Sequence, residues 1–123
     1  MAYTELTLQA STRIGLEATY ASGDSANGHS FDNATENVCI HVLNGGASSI
    51  NVTVVTPGTI DGIAITDMVV AVPASEERII GPFANSLYGQ VDADNSIDEA
   101  VGFDLSDDTS VTLAAIKLGL NSY

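Results

Sequence analysis

Short runs of β-branched and aliphatic residues, each halted after a few positions by Gly, Asn, Asp or Pro, fill residues 38–118. No long amphipathic helical stripe competes with them. Punctuation at this spacing leaves room for strands and tight connections but not for helices of several turns. The expectation is an all-β chain, a β-sandwich or jelly roll of about seven to nine short, mostly antiparallel strands.

The clearest run is residues 37–43, where alternation places Val38, Ile40 and Val42 on one face and Cys39, His41 and Leu43 on the other. Asn44-Gly45-Gly46-Ala47-Ser48 follows, and residues 50–56 resume as strand up to Pro57-Gly58, which predicts a β-hairpin. A loop over residues 59–62 leads to short strands at 63–65 and 68–72. Residues 78–83 read as an edge strand, because Pro82 has no N–H to give to a ladder.

Residues 84–90 are predicted to be irregular with Leu87 and Tyr88 packed inward, and the acid-rich residues 91–99 to be a solvated loop. Residues 101–105 and 110–118 predict a second hairpin across Ser106-Asp107-Asp108-Thr109, with Asp107 and Asp108 as turn residues. Residues 4–20 favour strand. Residues 21–33 are small, polar and Gly-bearing, the composition of a loop or of an arm that orders only against a neighbour. At 123 residues this is one domain, 1–123, with a less regular, flexible N-terminal strand or arm region over 1–35 and a sandwich core over 36–118.

Charge narrows the partners. Sixteen carboxylates face only Arg13, Arg78 and Lys117, a formal net charge of −13. A field of that sign repels nucleic acid and anionic lipid and favours basic protein surfaces, so neither nucleic acid nor membrane is an expected partner. It also weakens the compact state at low salt, a penalty that molar salt screens to a range of about 3 Å. A halophilic source makes sense of this balance, and acidic mesophilic proteins share it. The first residues carry neither a basic nor an apolar leader segment, which gives synthesis in a host cytoplasm as the expectation.

Candidate chemistry is sparse. His29 and His41 lie in no metal or triad spacing, and no serine sits in a Gly-x-Ser-x-Gly elbow. His29, in the polar stretch, is expected to be solvated. His41 shares a strand face with the lone Cys39, but alternate residues on a strand stand roughly 7 Å apart, too far for a thiol and its base, so packing outweighs catalysis at both. Asp92, Asp94, Asp98 and Glu99 form the best candidate cation site, offering oxygen ligands suited to weak Ca²⁺ or Mg²⁺ binding. The EF-hand pattern fails there, with Ile97 where Gly is needed and Phe103 where Glu is needed, so a solvated acidic loop outweighs a metal site. Asn33 and Asn51 head N-glycosylation sequons of a kind common by chance. No catalytic residue, cofactor or metal is assigned, and the chain is not expected to be an enzyme.

Four runs carry a resemblance: Asn51-Val52-Thr53-Val54-Val55-Thr56-Pro57-Gly58-Thr59, Val70-Ala71-Val72-Pro73-Ala74, Ile79-Ile80-Gly81-Pro82-Phe83 and Ser110-Val111-Thr112-Leu113-Ala114-Ala115-Ile116-Lys117-Leu118. Over residues 38–118 the chain resembles the small capsid-associated decoration or turret proteins of tailed phages and haloarchaeal tailed viruses. The resemblance implies a non-enzymatic virion component on the capsid surface. Its partner would be the major capsid protein, and it would assemble as a homo-oligomer, with a trimer favoured over a pentamer or hexamer. The extra acidity and residues 84–100 depart from those relatives. The alternative is a receptor- or carbohydrate-binding β-sandwich on the virus surface or an appendage, which the absence of Trp disfavours because sugar platforms use exposed aromatics.

Overall fold

A computed structural model describes residues 3–118. Among them are thirteen strands, one α-helical turn and one 3-10 turn (Ala93–Asn95). The first strands are β1 (Thr4–Glu5), β2 (Leu8–Ala10), β3 (Ala21–Ser22), β4 (His29–Asp32), β5 (Val38–Asn44) and β6 (Ile50–Val54). After them come β7 (Thr59–Ile60), β8 (Ile63–Ala64), β9 (Met68–Val72), β10 (Glu77–Ile80), the helical turn α1 (Asn85–Tyr88), β11 (Gly89–Asp92), β12 (Ile97–Leu105) and β13 (Val111–Lys117). The strand count exceeds the sequence expectation because β3, β4, β7 and β11 fall in stretches expected to be loop or irregular, and because residues 4–20 hold two short strands, β1 and β2.

One sheet runs β1-β4-β12-β6-β9, with β11 also on β12; the other runs β10-β5-β13-β2, with β3 also on β13. Along the chain β3, β5, β10 and β13 fall in the second sheet and β4, β6, β9 and β12 in the first. Only β6 and β9 are neighbours both in space and in sequence; every other connection among these eight crosses between sheets. Two four-stranded sheets ordered β3-β13-β5-β10 and β4-β12-β6-β9 have the strand order of a jelly roll. Pairing is mostly antiparallel, with β1 parallel to β4 and β2 parallel to β13.

Both hairpins expected from sequence are crossovers. β5 is flanked by β10 and β13, and β6 by β12 and β9, so residues 45–49 carry the chain from one sheet to the other rather than round a hairpin. Residues 106–110 do the same between β12 and β13. The expected alternation holds, with β5 burying Val38, Ile40, Val42 and Asn44 and leaving Cys39, His41 and Leu43 half-buried. The edge-strand expectation also holds, since β10 ends the second sheet.

The N-terminal third differs from its expectation. Residues 29–32 are β4, seated between β1 and β12, with His29, Ser30 and Phe31 fully buried. Before it, the chain steps from β1 in one sheet to β2 in the other, and Leu6 at the step is buried in the core. This strap closes one side of the sandwich. Inward side chains of both sheets then form one cluster around Phe31, Phe103, Ile40 and Leu113.

The two ends of the sandwich are unlike. At one, short connections are tied to one another: Ser25 N donates to Asp108 at 2.9 Å, Gly45 N to the Ser110 carbonyl at 2.9 Å, and Asn44 N to the Glu76 carbonyl at 2.9 Å. At the other lie residues 33–37, 55–67 and 81–96, which hold the β7–β8 hairpin, α1 and β11.

Candidate interaction surface

His29 is not solvated. Its ring is fully buried, stacked on Phe103 with centroids 5.5 Å apart, and Nε2 accepts from the Asp24 N–H at 2.9 Å. Nδ1 therefore carries the proton and donates to the Thr4 carbonyl at 3.2 Å. Burial holds its pKa below the ordinary 6.5 despite that bond to Thr4 and the nearby Asp24 and Asp108 carboxylates. A second proton at Nε2 would face the Asp24 N–H.

The sign of the pH effect follows. The unfolded chain takes up this proton near pH 6.5 and the folded chain only at lower pH, so the stabilisation is full above about 6.5 and falls as pH drops through the folded value. Urea midpoints between about pH 8 and pH 5 should therefore decline more steeply in the wild type than in His29→Gln. Parallel profiles would show that His29 is not held neutral.

His41 lies on the outer face of the second sheet. Its Nδ1 is 2.7 Å from the Tyr20 hydroxyl and its Nε2 is 3.3 Å from Glu77. Cys39 is half-buried on the same face, and burial pushes its thiol pKa up, away from the thiolate a nucleophile needs.

The acidic stretch is corrected. Rather than one solvated loop, residues 91–99 are the end of β11, a 3-10 turn and the start of β12, and Asp92 is buried. Burial pushes the Asp92 pKa up, but bonds from Asn95 and Ser30 outweigh it and hold the carboxyl below the ordinary value. Asp94, Asp98 and Glu99 are exposed, Glu99 accepting from Asn85 Nδ2 at 3.0 Å. Among the described residues no three His, Cys, Asp or Glu side chains are grouped to hold a metal.

Asp107 does what turn chemistry requires, accepting from Thr109 N and Oγ1, both at 3.0 Å. The Asn33 amide is fully buried, donating to the Phe83 carbonyl at 3.0 Å and to Asn85 Oδ1 at 2.8 Å, whereas Asn51 is exposed on β6. Leu87 and Tyr88 pack partly inward as expected, from α1.

What remains as candidate surface is the long-connection end. Ile60, Ile63 and Val91 are 60%, 71% and 70% exposed, and all three belong to its excursions. Ile60 and Ile63 pair across a two-stranded arm, β7–β8, turned by Asp61 and Gly62 at φ 53° and 78°. Positive φ at both central residues is the type I′ turn that Asp-Gly favours. Asp61-Gly62 carries that signal in the sequence, and residues 59–62 form part of this hairpin rather than the expected loop.

The arm's base is clamped. Thr56 N donates to Asp67 Oδ1 at 2.9 Å, its hydroxyl donates to the Ile65 carbonyl at 2.8 Å, and Gly58 N donates to the Leu87 carbonyl at 3.0 Å. A Cβ on Gly58 would lie 2.5 Å from the Ser86 carbonyl oxygen, so only glycine admits this approach.

Beside the arm, on the side away from the N-terminal strap, β9 and β10 are the free edges of their sheets. Between them opens a cleft of about 260 Å³, walled by Met68, Val70, Ile80, Phe83 and Tyr88, with Ile79 and Arg78 also lining it. Ile79 is 70% exposed, and Arg78 pairs with Glu76 at 3.1 Å. An inward-pointing charge on an edge strand discourages indiscriminate strand addition.

No helix among the described residues is long and apolar enough to cross a membrane. No protein-family model, curated protein or solved structure matches the chain.

Proposed function

We propose that the protein is a non-enzymatic structural component of a tailed-virus capsid, decorating its outer surface through contacts with the major capsid protein and with copies of itself. The observation that carries this reading is the polarity of the jelly roll. One end is a set of short, mutually bonded turns, whereas the other carries the longer excursions and presents exposed isoleucines on a clamped arm. An acidic domain that projects an exposed aliphatic arm from one end is suited to standing in water on a protein surface. Jelly rolls serve capsids and lectins alike, so the fold supports the reading without deciding it.

Cosedimentation with capsids that lack this chain, at the salt of the source medium, tests the proposal. Saturable binding at a fixed number of copies per major capsid protein is expected. A chain left in the supernatant at every salt concentration, or one retained by a glycan array instead, defeats the reading.

The charge yields a second expectation. Raising NaCl from about 0.01 M to 1 M shortens the screening length from roughly 30 Å to 3 Å. The melting temperature should therefore climb across that range, since sixteen carboxylates are held together by folding with three cations among them. A flat salt profile would remove the halophile argument.

A further inference from the structure

We infer that the β7–β8 arm of one copy seats in the β9–β10 cleft of a second copy, with Asp61 of the first facing Arg78 of the second. The inference rests on the assembly reading in so far as that reading expects a homo-oligomer.

The arm asks for an occupant's role. A two-stranded ribbon is marginal by itself in water, and this one spends Ile60 and Ile63 on solvent while its base is fixed by Thr56, Asp67 and Gly58. No residue of the arm lines the cleft of its own chain. The clamp at residues 56–67 holds it out, so an arm entering a cleft of this kind comes from another copy.

The cleft matches in size and in charge. Its volume of about 260 Å³ is room for on the order of eight waters, enough for two branched aliphatic side chains. Contact between two bodies of net charge −13 must avoid setting carboxylate against carboxylate. Arg78 is one of only three cations in the chain, its side chain is 41% exposed and it lines this cleft, and Asp61 of a second copy would share it with Glu76, its partner at 3.1 Å within the chain. Asp61 sits at the arm's turn between the two isoleucines. An aliphatic–carboxylate–aliphatic tip thus meets an apolar cleft with a guanidinium in its lining, and the pairing is complementary in both respects.

Arm and cleft are different surfaces, so a one-way contact propagates head to tail and closes into a ring where the rotation permits, whereas two copies that exchange arms reciprocally close a two-fold dimer. The mass of the wild-type complex in sedimentation tells these two closures apart.

The test is a mixing experiment read by sedimentation from low to molar NaCl. Ile63→Asp damages the arm and spares the cleft; Arg78→Asp, at an inward-facing position of β10, damages the cleft and spares the arm. Ile63 is 71% exposed and the Arg78 side chain 41%, so each variant should keep the wild-type circular dichroism. Wild type should associate increasingly as salt rises, and each variant alone should associate at least about tenfold more weakly. The equimolar mixture should form a two-copy complex that grows no further, because one sound arm meets one sound cleft. A wild type that stays monomeric at all salts overturns the inference, as does association that Ile63→Asp leaves unchanged or a mixture that fails to pair.

The capsid reading fails or stands separately. A chain that associates and mixes as described yet ignores capsids keeps this contact and loses that role. One that binds capsids but never self-associates in sedimentation does the reverse.

Discussion

Phe103→Ala is expected to destabilise the fold by about 3–5 kcal/mol, enough to lower the melting temperature by roughly 10–20 °C. Phe103 is fully buried on β12, stacked on His29 and 6.3 Å from the Phe31 ring, while β12 itself holds β4, β6 and β11 together. The cavity would open at the centre of the sandwich beneath a strand paired on both sides, by β4 and β6, so little collapse can offset it. Urea unfolding should show a lower midpoint with an unchanged slope. A loss below about 1 kcal/mol would mean that this ring is not the keystone the packing makes it.

Asn44→Ala is expected to cost about 2–4 kcal/mol despite removing so few atoms. The Asn44 amide is buried at the end of β5, donating to the Ser48 carbonyl at 2.8 Å, the Val72 carbonyl at 3.0 Å and the Pro73 carbonyl at 3.3 Å. Its Oδ1 accepts from Gly46 N at 3.0 Å. One side chain thus joins the β5–β6 crossover to the end of β9, and alanine would leave those backbone groups without partners. Asn44→Asp separates the two halves of the role, keeping the acceptor for Gly46 but losing every donor. If Asp proves as stable as Asn, the carbonyl bonds carry no weight, and the crossover is held by other means.

These two residues show where a sequence is readable and where it is not. The alternation of Val38, Ile40 and Val42 was legible because inward and outward faces differ in polarity, and that difference is local. Which strand β5 pairs with was not. A hairpin and a crossover present the same apolar face over the same Gly-rich connection, and the choice is made by β10 and β13, which arrive much later in the chain.

Polar residues failed for the same reason. His29 lies among Asp24, Ser25, Asn27 and Gly28, and no local pattern announces that Phe103 will stack on it or that the Thr4 carbonyl will accept a hydrogen bond from its ring. Asp92 looked like one more solvated acid until Ser30, far away in sequence, supplied a hydroxyl. The exposed arm was within reach, because Asp61-Gly62 flanked by isoleucines is a hairpin signal in its own right. The cleft was not, since it exists only once β9 and β10 end their sheets side by side.

The positions of β12 and β13 bear on how the chain is made. They are the last two strands described along the chain, yet each sits in the middle of its sheet and supplies the shared neighbour for strands that precede it. Until they leave the ribosome, β4 has no route to β6 and β5 lacks one of its two partners. Folding of this domain therefore waits until β13, ending at Lys117, has emerged, and it proceeds through distant pairings, the slow regime for small proteins. A nascent chain cut short before residue 97 is left with exposed strand edges and no sheet to close, material for proteolysis rather than for assembly.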